Sequence, residues 1–305
     1  MGWVMDMEVF VRVADLGGFS PAARALGLTP SAVSRTIARL EDRLGARLFN
    51  RTTRRLSLTD EGRVFLDRAR HILAEIDEAE RLVSGAEAIP RGRLRVTAAT
   101  AFTLHQVIPL LPEFLGRYPN VHLDLNVTDR VVDLVEEGFD VGVRTGQLAD
   151  SALISRVIAH DHRIICAAPA YVQRHGTPLQ PADLAHHNCL MWATDLGGLN
   201  DWPFDGPDGP YTIRVRGNSE VNNGDALYAM ALAGVGVARL ARFRIAADVR
   251  AGRLLPLLSK HHRFVTLPIS LVYPHRRHLS AKVRAFSDFL VGKFTPTPPW
   301  DLGDS

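Results

Sequence analysis

Residues 20–59 read SPAARALGLTPSAVSRTIARLEDRLGARLFNRTTRRLSLT. Two segments in this stretch open with a hydroxyl residue followed by proline, Ser20-Pro21 and Thr29-Pro30, and close on a glycine, Gly27 and Gly45. A Ser or Thr side chain at the N-cap accepts a bond from an orphan backbone N–H, and proline suits the first helical position, where no N–H is needed. Glycine takes the left-handed conformation that ends a helix. The spacing therefore predicts helices over 21–26 and 30–44 joined by a tight turn. That arrangement is a helix-turn-helix, whose second helix lies in the DNA major groove.

The second helix shows its two faces. Val33, Ile37, Leu40 and Leu44 recur at steps of four, three and four and form one apolar stripe. Ser31, Ser34, Arg35 and Arg39 fall on the other side, and serine and arginine are residue types that reach base edges and phosphates. Between Ser20 and Leu58 eight arginines face two acids, a local net charge of +6 against +3 for the whole chain. The basic charge is concentrated where a polyphosphate would lie. The plainer alternative is an amphipathic helix pair with a solvated arginine face, but caps, turn glycines and polar outer face together favour double-stranded DNA.

The chain has 305 residues, 46% hydrophobic and 23% charged, enough for two or three domains with full cores. No apolar stretch approaches the roughly 20 residues that span a bilayer. The opening MGWVMDMEVFVRVAD lacks the basic-then-apolar order of a signal peptide. A cytoplasmic protein with no membrane partner is expected. Cys166 and Cys189 sit in apolar company without an adjacent basic residue, so buried structural thiols are expected rather than a redox pair.

Working outward, a first helix is expected over 5–16, and Phe19 stands where a hydrophobic staple would precede the Ser20 cap. After Gly45, Leu48-Phe49 and Leu56-Ser57-Leu58 read as the arms of a hairpin wing. Its tip, Arg51-Thr52-Thr53-Arg54-Arg55, is suited to backbone phosphate or the minor groove. Thr59 caps a long helix over 60–84 with Asp60 and Glu61 in its first turn. Phe65, Ala69, Ile72, Ile76, Ala79 and Val83 make a heptad seam, the pattern of a coiled coil. The seam predicts a homodimer reading a dyad operator, against the alternative of a helix packed on its own domain. The resulting division is a winged helix-turn-helix over 1–59, a linker helix over 60–84, a hinge over 85–92 and a C-terminal domain over 93–294. The proline-rich tail 295–305 is expected to be disordered.

From residue 93 strands and helices alternate, which predicts an α/β architecture with a largely parallel sheet. Strands are expected at LRVTAA, VHLDLNV, DVGVR, RIICAAP, TIRVRGN, VGVARL and LPISLVYP. Helices are expected over 100–115, 129–137, from 169, over 222–232 and over 280–292. About two hundred such residues commonly make two lobes with a crevice between them. Here lobe I would span about 93–160 and 268–294, and lobe II about 161–267.

The stretches GGFSPAARALGLTPSAVSRTIARLEDRLGARLFNRTTRRLSLTDEG, VIPLLPEFLGRYPNV, DLVEEGFDVGVRTG and LVYPHRRHLSAKVRAFSDFLV, in this order, resemble the LysR-type transcriptional regulators over nearly the whole chain. The resemblance implies a dimerising linker helix, a winged helix-turn-helix and an effector domain similar to periplasmic solute-binding proteins. It also implies a homodimer or dimer of dimers that activates or represses promoters in response to a small molecule, with RNA polymerase as a further partner. It puts Ser31, Ser34 and Arg35 at the family's base-contacting positions, with Pro30 where many members carry glutamine, and Arg54 at the wing tip.

For the effector cleft, the loop Ala99-Thr100-Ala101-Phe102-Thr103 opens a helix, where free N–H groups favour an anion such as a carboxylated metabolite. Thr128 and the run Arg144-Thr145-Gly146 end neighbouring strands at the same edge. Asn218, Ser219, Asn222 and Asn223 precede a helix in the other lobe. The resemblance implies Thr100, Thr128 and Arg144 as ligand contacts; the plainer readings are N-caps at Thr100 and Asn222 and a structural ion pair at Arg144. His160/His162, His186/His187, His261/His262 and His275/His278 lack the ligand spacing of a zinc site, so surface histidines and no metal or cofactor are expected. No nucleophile elbow or dinucleotide fingerprint occurs, which disfavours an enzyme. A cytoplasmic solute binder and a constitutive regulator without effector remain as alternatives.

Overall fold

The computed structural model describes residues 2–51, 56–84, 89–148, 153–193, 198–274 and 279–301. It divides into two units, Met1–Ile89 and Pro90–Ser305.

The first unit begins with helices α1 (Trp3–Leu16), α2 (Phe19–Leu26) and α3 (Pro30–Leu44), a two-stranded wing β1 (Phe49–Arg51) and β2 (Leu56–Leu58), and helix α4 (Asp60–Ser84). Gly27 and Gly45 end α2 and α3 with φ of 65° and 64°, a conformation that glycine adopts without steric penalty. Thr29 caps α3, its Oγ1 accepting from Ala32 N at 3.2 Å. Ser20 does not cap α2. The helix starts one residue earlier, at Phe19, with extended Gly18 as its cap, so Phe19 is the first helical residue rather than a staple before it. The reason is the ring of Phe19, which packs 6.0 Å from Phe49. Phe10 joins the same knot, 5.2 Å from both Phe49 and Phe65.

Two polar residues lock this unit. Glu41 is buried, and its Oε1 accepts from Leu48 N at 2.8 Å and Phe49 N at 3.2 Å, which pins the start of the wing to α3. Thr59 caps α4 through Gly62 N at 2.8 Å and donates to Arg47 O at 2.7 Å. Gly62 is required there, because a Cβ would lie 2.1 Å from Leu48 O. Helix α4 spends the start of its heptad seam at home: Phe65, Leu66, Ala69 and Leu73 belong to the apolar cluster of α1–α3, and Arg70 pairs with Asp15 of α1. Val64 and Ile72 face outward instead, 67% and 42% exposed. The helix-on-its-own-domain alternative therefore holds for the first half of the seam. The side chains of Ala79 and Val83 lie outside the described residues, as do Thr52, Thr53, Arg54 and Arg55.

In the second unit a five-stranded sheet has the order β4-β3-β5-β14-β6, from β3 (Gly92–Ala98), β4 (Val121–Val127), β5 (Val141–Thr145), β6 (Ile154–Asp161) and β14 (Leu267–Tyr273). Only β3 pairs in parallel, with β4 and β5; β14 runs antiparallel to β5 and β6. The sheet is thus mixed rather than largely parallel, because the chain returns from lobe II to insert β14. The second lobe holds β7 (Arg163–Ala167), α7 (Pro169–His175), the short strand β8 (Met191–Trp192), the hairpin β9 (Asp201–Gly206) and β10 (Gly209–Arg214), β11 (Glu220–Val221), α8 (Gly224–Leu232), β12 (Ala238–Ala241), α9 (Arg242–Arg250) and β13 (Leu255–Pro256). Its three-stranded sheet, β12-β7-β13, is antiparallel throughout.

The helix expected over 100–115 is interrupted. A short turn α5 (Thr100–Phe102) runs through a wide π-type turn over Thr103–Val107 and a tight turn over Ile108–Leu110 into α6 (Leu111–Arg117). Pro109 and Pro112 lack the N–H groups that a regular ladder would need. Residues 129–137 form turns rather than a helix, with Asp133 Oδ1 accepting from Val135 N at 2.8 Å and Glu136 N at 3.0 Å. The final helix α10 (Ala281–Phe294) is tied to the sheet by Lys282, whose Nζ lies 3.0 Å from Asp140 Oδ2. Asp140 Oδ2 also accepts from Arg95 N at 2.8 Å, so Arg95, Asp140 and Lys282, far apart in sequence, meet in one clasp.

The tail is ordered through Asp301. Trp300 is 2% exposed among Phe102, Phe243 and Phe294, and Arg242 pairs with Asp301 at 2.7 Å. One large aromatic with an apolar socket outweighs the prolines around it. Phe243 and Ala246 of α9 belong to the lobe I core, so α9 is shared between the lobes. Among the described residues no helix is long and apolar enough to cross a membrane.

Candidate DNA-recognition face and effector cleft

On α3 the outward residues separate into two kinds. Ser31 and Arg35 are exposed and Ser34 half-buried, and Arg35 makes no ion pair among the described residues. Thr29 Oγ1 lies 3.1 Å from Ser31 Oγ, so the cap and the first outward serine share one hydrogen-bond network. Arg39 is different. Its guanidinium pairs with Asp6 of α1, a carboxylate with 0% exposure, and that hydrogen bond raises the pKa of Arg39. Arg43 approaches the same carboxylate at 3.8 Å and lies 4.8 Å over the Trp3 ring. Arg39, expected as a DNA contact, is thus first a strut between α1 and α3. Asp6 was missed, although its spacing to Phe10 and Val13 puts it on the buried face of α1. Ser20 and Pro30 are exposed.

In the second unit the expected cleft residues divide in the same way. Thr100 N donates to Asp129 Oδ1 at 2.9 Å, so a carboxylate of the chain itself occupies the place expected for a ligand anion. Ala101 is half-buried and packs against the lobe I core. Thr103 is withdrawn from the cleft: it is 0% exposed and donates to Ala99 O at 2.7 Å. Gly146, at φ +93°, uses its N–H on Pro268 O at 2.8 Å. Thr128 Oγ1 accepts from Arg130 N at 3.2 Å. Asn223, not Asn222, caps α8, accepting from Asp225 N at 2.8 Å and Ala226 N at 3.0 Å. Asn218 N is held by Asn188 Oδ1 at 2.8 Å and Asn218 Oδ1 accepts from Ser219 Oγ at 2.8 Å.

Arg144 is the informative member. Its Nη2 donates to Thr97 Oγ1 at 3.1 Å. Burial pushes its pKa down, opposed by the more distant charges of Asp129 and Glu137. It is not the structural ion pair of the plainer reading.

A bridge between the lobes was not anticipated. His105 Nε2 lies 3.0 Å from Asp225 Oδ1 at the start of α8, and the His105 ring meets Tyr228 edge-on at 5.3 Å. Arg244 of α9 donates to Gly224 O at 2.9 Å, and its Nε lies 3.3 Å from the same Asp225 oxygen without hydrogen-bond alignment. Burial lowers the pKa of Arg244, while Asp225 and then Asp129 oppose the shift. Asp129 therefore sits in the fields of two desolvated guanidinium groups, Arg144 and Arg244. These pairings join residues far apart in sequence, and no local signal in the sequence pointed to them.

Cys166 and Cys189 are both fully buried, and burial pushes each thiol up to about 12. Among the described residues no cluster of metal-ligating side chains occurs. His275 and His278 lie outside the described residues.

Comparison with known proteins identifies a family match for each of the two units. Residues 4–63 match the bacterial regulatory helix-turn-helix of the lysR family and residues 88–295 the LysR substrate binding domain. The regulator CrgA of Neisseria meningitidis serogroup C (strain 8013) is 39% identical over 287 residues, covering 94% of this chain and 95% of CrgA. A transcriptional repressor of Pseudomonas aeruginosa (strain UCBPP-PA14), PA14_22550, is 36% identical over 301 residues, covering 97% of this chain and 93% of the repressor. The solved structure of CrgA superposes with a TM-score of 0.63 at 37% identity, covering 94% of this chain and 97% of that one. Full-length AphB, a virulence activator of Vibrio cholerae, gives 0.59 at 26% identity, covering 96% and 99%. A helix-turn-helix reader joined to a two-lobed effector domain, matched end to end by such relatives, places the chain in the LysR family of DNA-binding transcriptional regulators.

Proposed function

We propose that this regulator binds a dyad operator as a homodimer, or as a dimer of dimers, and that a small anionic or carboxylated metabolite in the cleft of the second unit sets its activity. Ser31, Ser34 and Arg35 read base edges. Arg51, Thr52, Thr53, Arg54 and Arg55 contact backbone phosphate or the minor groove. The outward surface of α4 beyond Ile72 supplies the pairing face, and RNA polymerase is the downstream partner. The protein works in the cytoplasm and binds its effector without turning it over.

The observation that supports the effector reading most is Arg144: a desolvated guanidinium whose side chain donates to a neutral hydroxyl and has no carboxylate within ion-pair distance among the described residues. A metabolite carboxylate would pair with it and displace Asp129 from Thr100 N, an exchange that links binding to movement of the 129–137 turns. The test is thermal shift of the full chain against a panel of carboxylated metabolites. A ligand that raises the melting temperature of the wild type and not of Arg144→Gln supports the reading. The second reading, a constitutive regulator, draws on Asp129, which already fills the anion position. It gains if no compound alters either the melting temperature or the operator affinity. The DNA reading is tested by footprinting on the DNA beside the protein's own gene. Protection no stronger than on random DNA would sink it, and Arg35→Ala should relax base preference while retaining phosphate-driven affinity.

A further inference from the structure

Arg239 of β12 is a buried arginine with no ion pair among the described residues. It is 7% exposed, and its one hydrogen bond among the described residues runs from Nε to His262 Nε2 at 3.2 Å. A nearly buried arginine is ordinarily paired with a carboxylate, since an uncompensated charge in a low-dielectric site is costly. Here no acid lies in the surroundings that set its charge. Burial brings its pKa down to about 10, and the neighbouring charge is another cation, Arg163. His262 is also buried, at 4% exposure, so it is not the surface histidine that the sequence suggested. Because its Nε2 accepts from Arg239, its Nδ1 carries the proton, and that buried donor has no acceptor. Among the described residues the site has donors in excess of acceptors.

The strand register brings this cluster together. Arg239 stands opposite Ile165 on β7, and Ala241 opposite Arg163. Arg163 and Arg239 therefore share the sheet face that carries Ile165 and Val237, whereas Arg244 sits on α9, which packs on the opposite face with Cys166 and Leu240. Arg239 therefore faces away from Arg244, although Arg163 lies within reach of the charge of Arg244. It also lies beside both segments where the chain crosses between the lobes: Phe264 of the returning segment packs edge-on to His162 of the outgoing one at 4.6 Å and to His262 at 5.2 Å. Asp161, whose charge partly offsets the lowering at Arg163, accepts at Oδ1 from Phe243 N at 3.0 Å.

We propose that lobe II holds a second, anion-binding site at the lobe crossover, centred on Arg239 with Arg163 as its second cation, and that its ligand is phosphate or the phosphate group of a metabolite. A planar guanidinium fork donates to two oxygens of such a group, and the second cation suits its second charge. This assignment does not depend on the effector reading of the Arg144 cleft.

The experiment titrates the full-length protein with sodium phosphate against sodium chloride at matched ionic strength, reading the melting temperature and the His262 imidazole resonances. Phosphate is expected to raise the melting temperature more than chloride and to shift the His262 signals. Arg239→Gln should weaken the apparent affinity at least about tenfold, Arg163→Gln by less, and Arg144→Gln not at all. A phosphomonoester arm separates the sources: tighter binding than phosphate assigns the ligand as a metabolite's phosphate group, equal binding as the free ion. The proposal is overturned if phosphate and chloride act alike, or if Arg144→Gln abolishes the response while Arg239→Gln keeps it. Should Arg239→Gln fail to fold, the wild-type resonances and Arg163→Gln still decide.

Discussion

Arginine does two different jobs in the two units. On α3, Arg35 is solvated and unpaired among the described residues, and Arg39 keeps one side in water while it braces α1. In the second unit Arg144, Arg163, Arg239 and Arg244 all have pKa values pushed down, and burial is the leading cause in each. A solvated guanidinium acts at a distance and is screened by salt. A desolvated one is screened little, and toward a group that contacts it in the dry site it is strong and selective. The first suits a polyanion found by diffusion, the second a small anion held in a dry site.

The largest consequence is a difference in salt response. Operator affinity should fall by about three orders of magnitude between about 50 and 200 mM salt, through release of counterions from DNA. The affinity for an anion in the second unit should change by only a few-fold over the same range, since buried pairs are screened little. Gel shift and calorimetry in the same buffers measure both. Parallel slopes would mean that the buried arginines are as solvated as those on α3.

The next effect is an asymmetry within one ion pair. Replacing Arg39 with alanine leaves the buried Asp6 carboxylate with only Arg43 at 3.8 Å among the described residues, and should be the more destabilising of the two changes. Replacing Asp6 with asparagine leaves an arginine that is 43% exposed and can turn to water, so it should cost about 1 kcal/mol after discounting for exposure. Urea unfolding of the isolated pair of variants in the full chain reads the order. Equal costs would show that Asp6 and Arg39 are packed rather than charge-coupled. Both variants should also lose operator affinity through tilting of α3, whereas Arg35→Ala should leave stability alone.

Acid stability comes third. His262 has its pKa lowered from 6.5 to about 4, first by burial, then by the charge of Arg239 and of His162. Between those values the unfolded chain binds a proton that the folded chain refuses. Its contribution is therefore complete above pH 6.5 and lost as pH falls toward 4. Asp161, raised from 3.8 to about 7 by burial, has the opposite sign: the folded chain keeps a proton that the unfolded chain releases, so its contribution is complete below 3.8 and lost as pH rises through 7. The two nearly offset each other between pH 4 and 6.5. His262→Asn should remove one of them and leave about 2 kcal/mol less loss of stability between pH 7 and pH 5. Denaturation in chloride buffers at the two pH values checks the sign, and an unchanged acid limb would remove His262 from the account.

These contrasts also show what a sequence can carry. The reader unit was legible because its information is local: caps at Thr29 and Thr59, glycine stops at Gly27 and Gly45, and a helical period on α3. Ser20 was misread because the position of Phe49, far along the chain, decides where α2 begins. In the second unit β6 was missed because an edge strand with four successive exposed residues shows no alternation, and β9 because Pro203 and Asp205 disguise a hairpin arm. The tail was misjudged because proline content speaks of many residues, while one indole decides the outcome. The cleft was legible only as a neighbourhood. Thr100, Thr128 and Arg144 end adjacent strands, and that follows from the strand pattern. The partner of each does not, since Asp129 on Thr100 or Thr97 on Arg144 is fixed by tertiary packing alone.

The smallest expected effect calibrates the rest. Asp60 and Arg63 pair on the first turn of α4, with side chains 89% and 62% exposed. Geometrically this pair resembles Arg39 with Asp6, a guanidinium against a carboxylate across one contact. It differs in solvent: both Asp60 and Arg63 stay hydrated when apart, whereas Asp6 has no water to return to. Coulomb attraction in a high dielectric is nearly offset by the entropy of holding two long side chains. Asp60→Asn should therefore cost no more than about 0.5 kcal/mol, including its loss at the positive end of the helix dipole. It should also leave operator affinity unchanged or slightly improved, because it removes a negative charge beside the basic wing. A cost near that of Arg39→Ala would mean that exposure does not govern ion-pair strength in this chain, and the contrast between solvated and buried arginines would lose its physical basis.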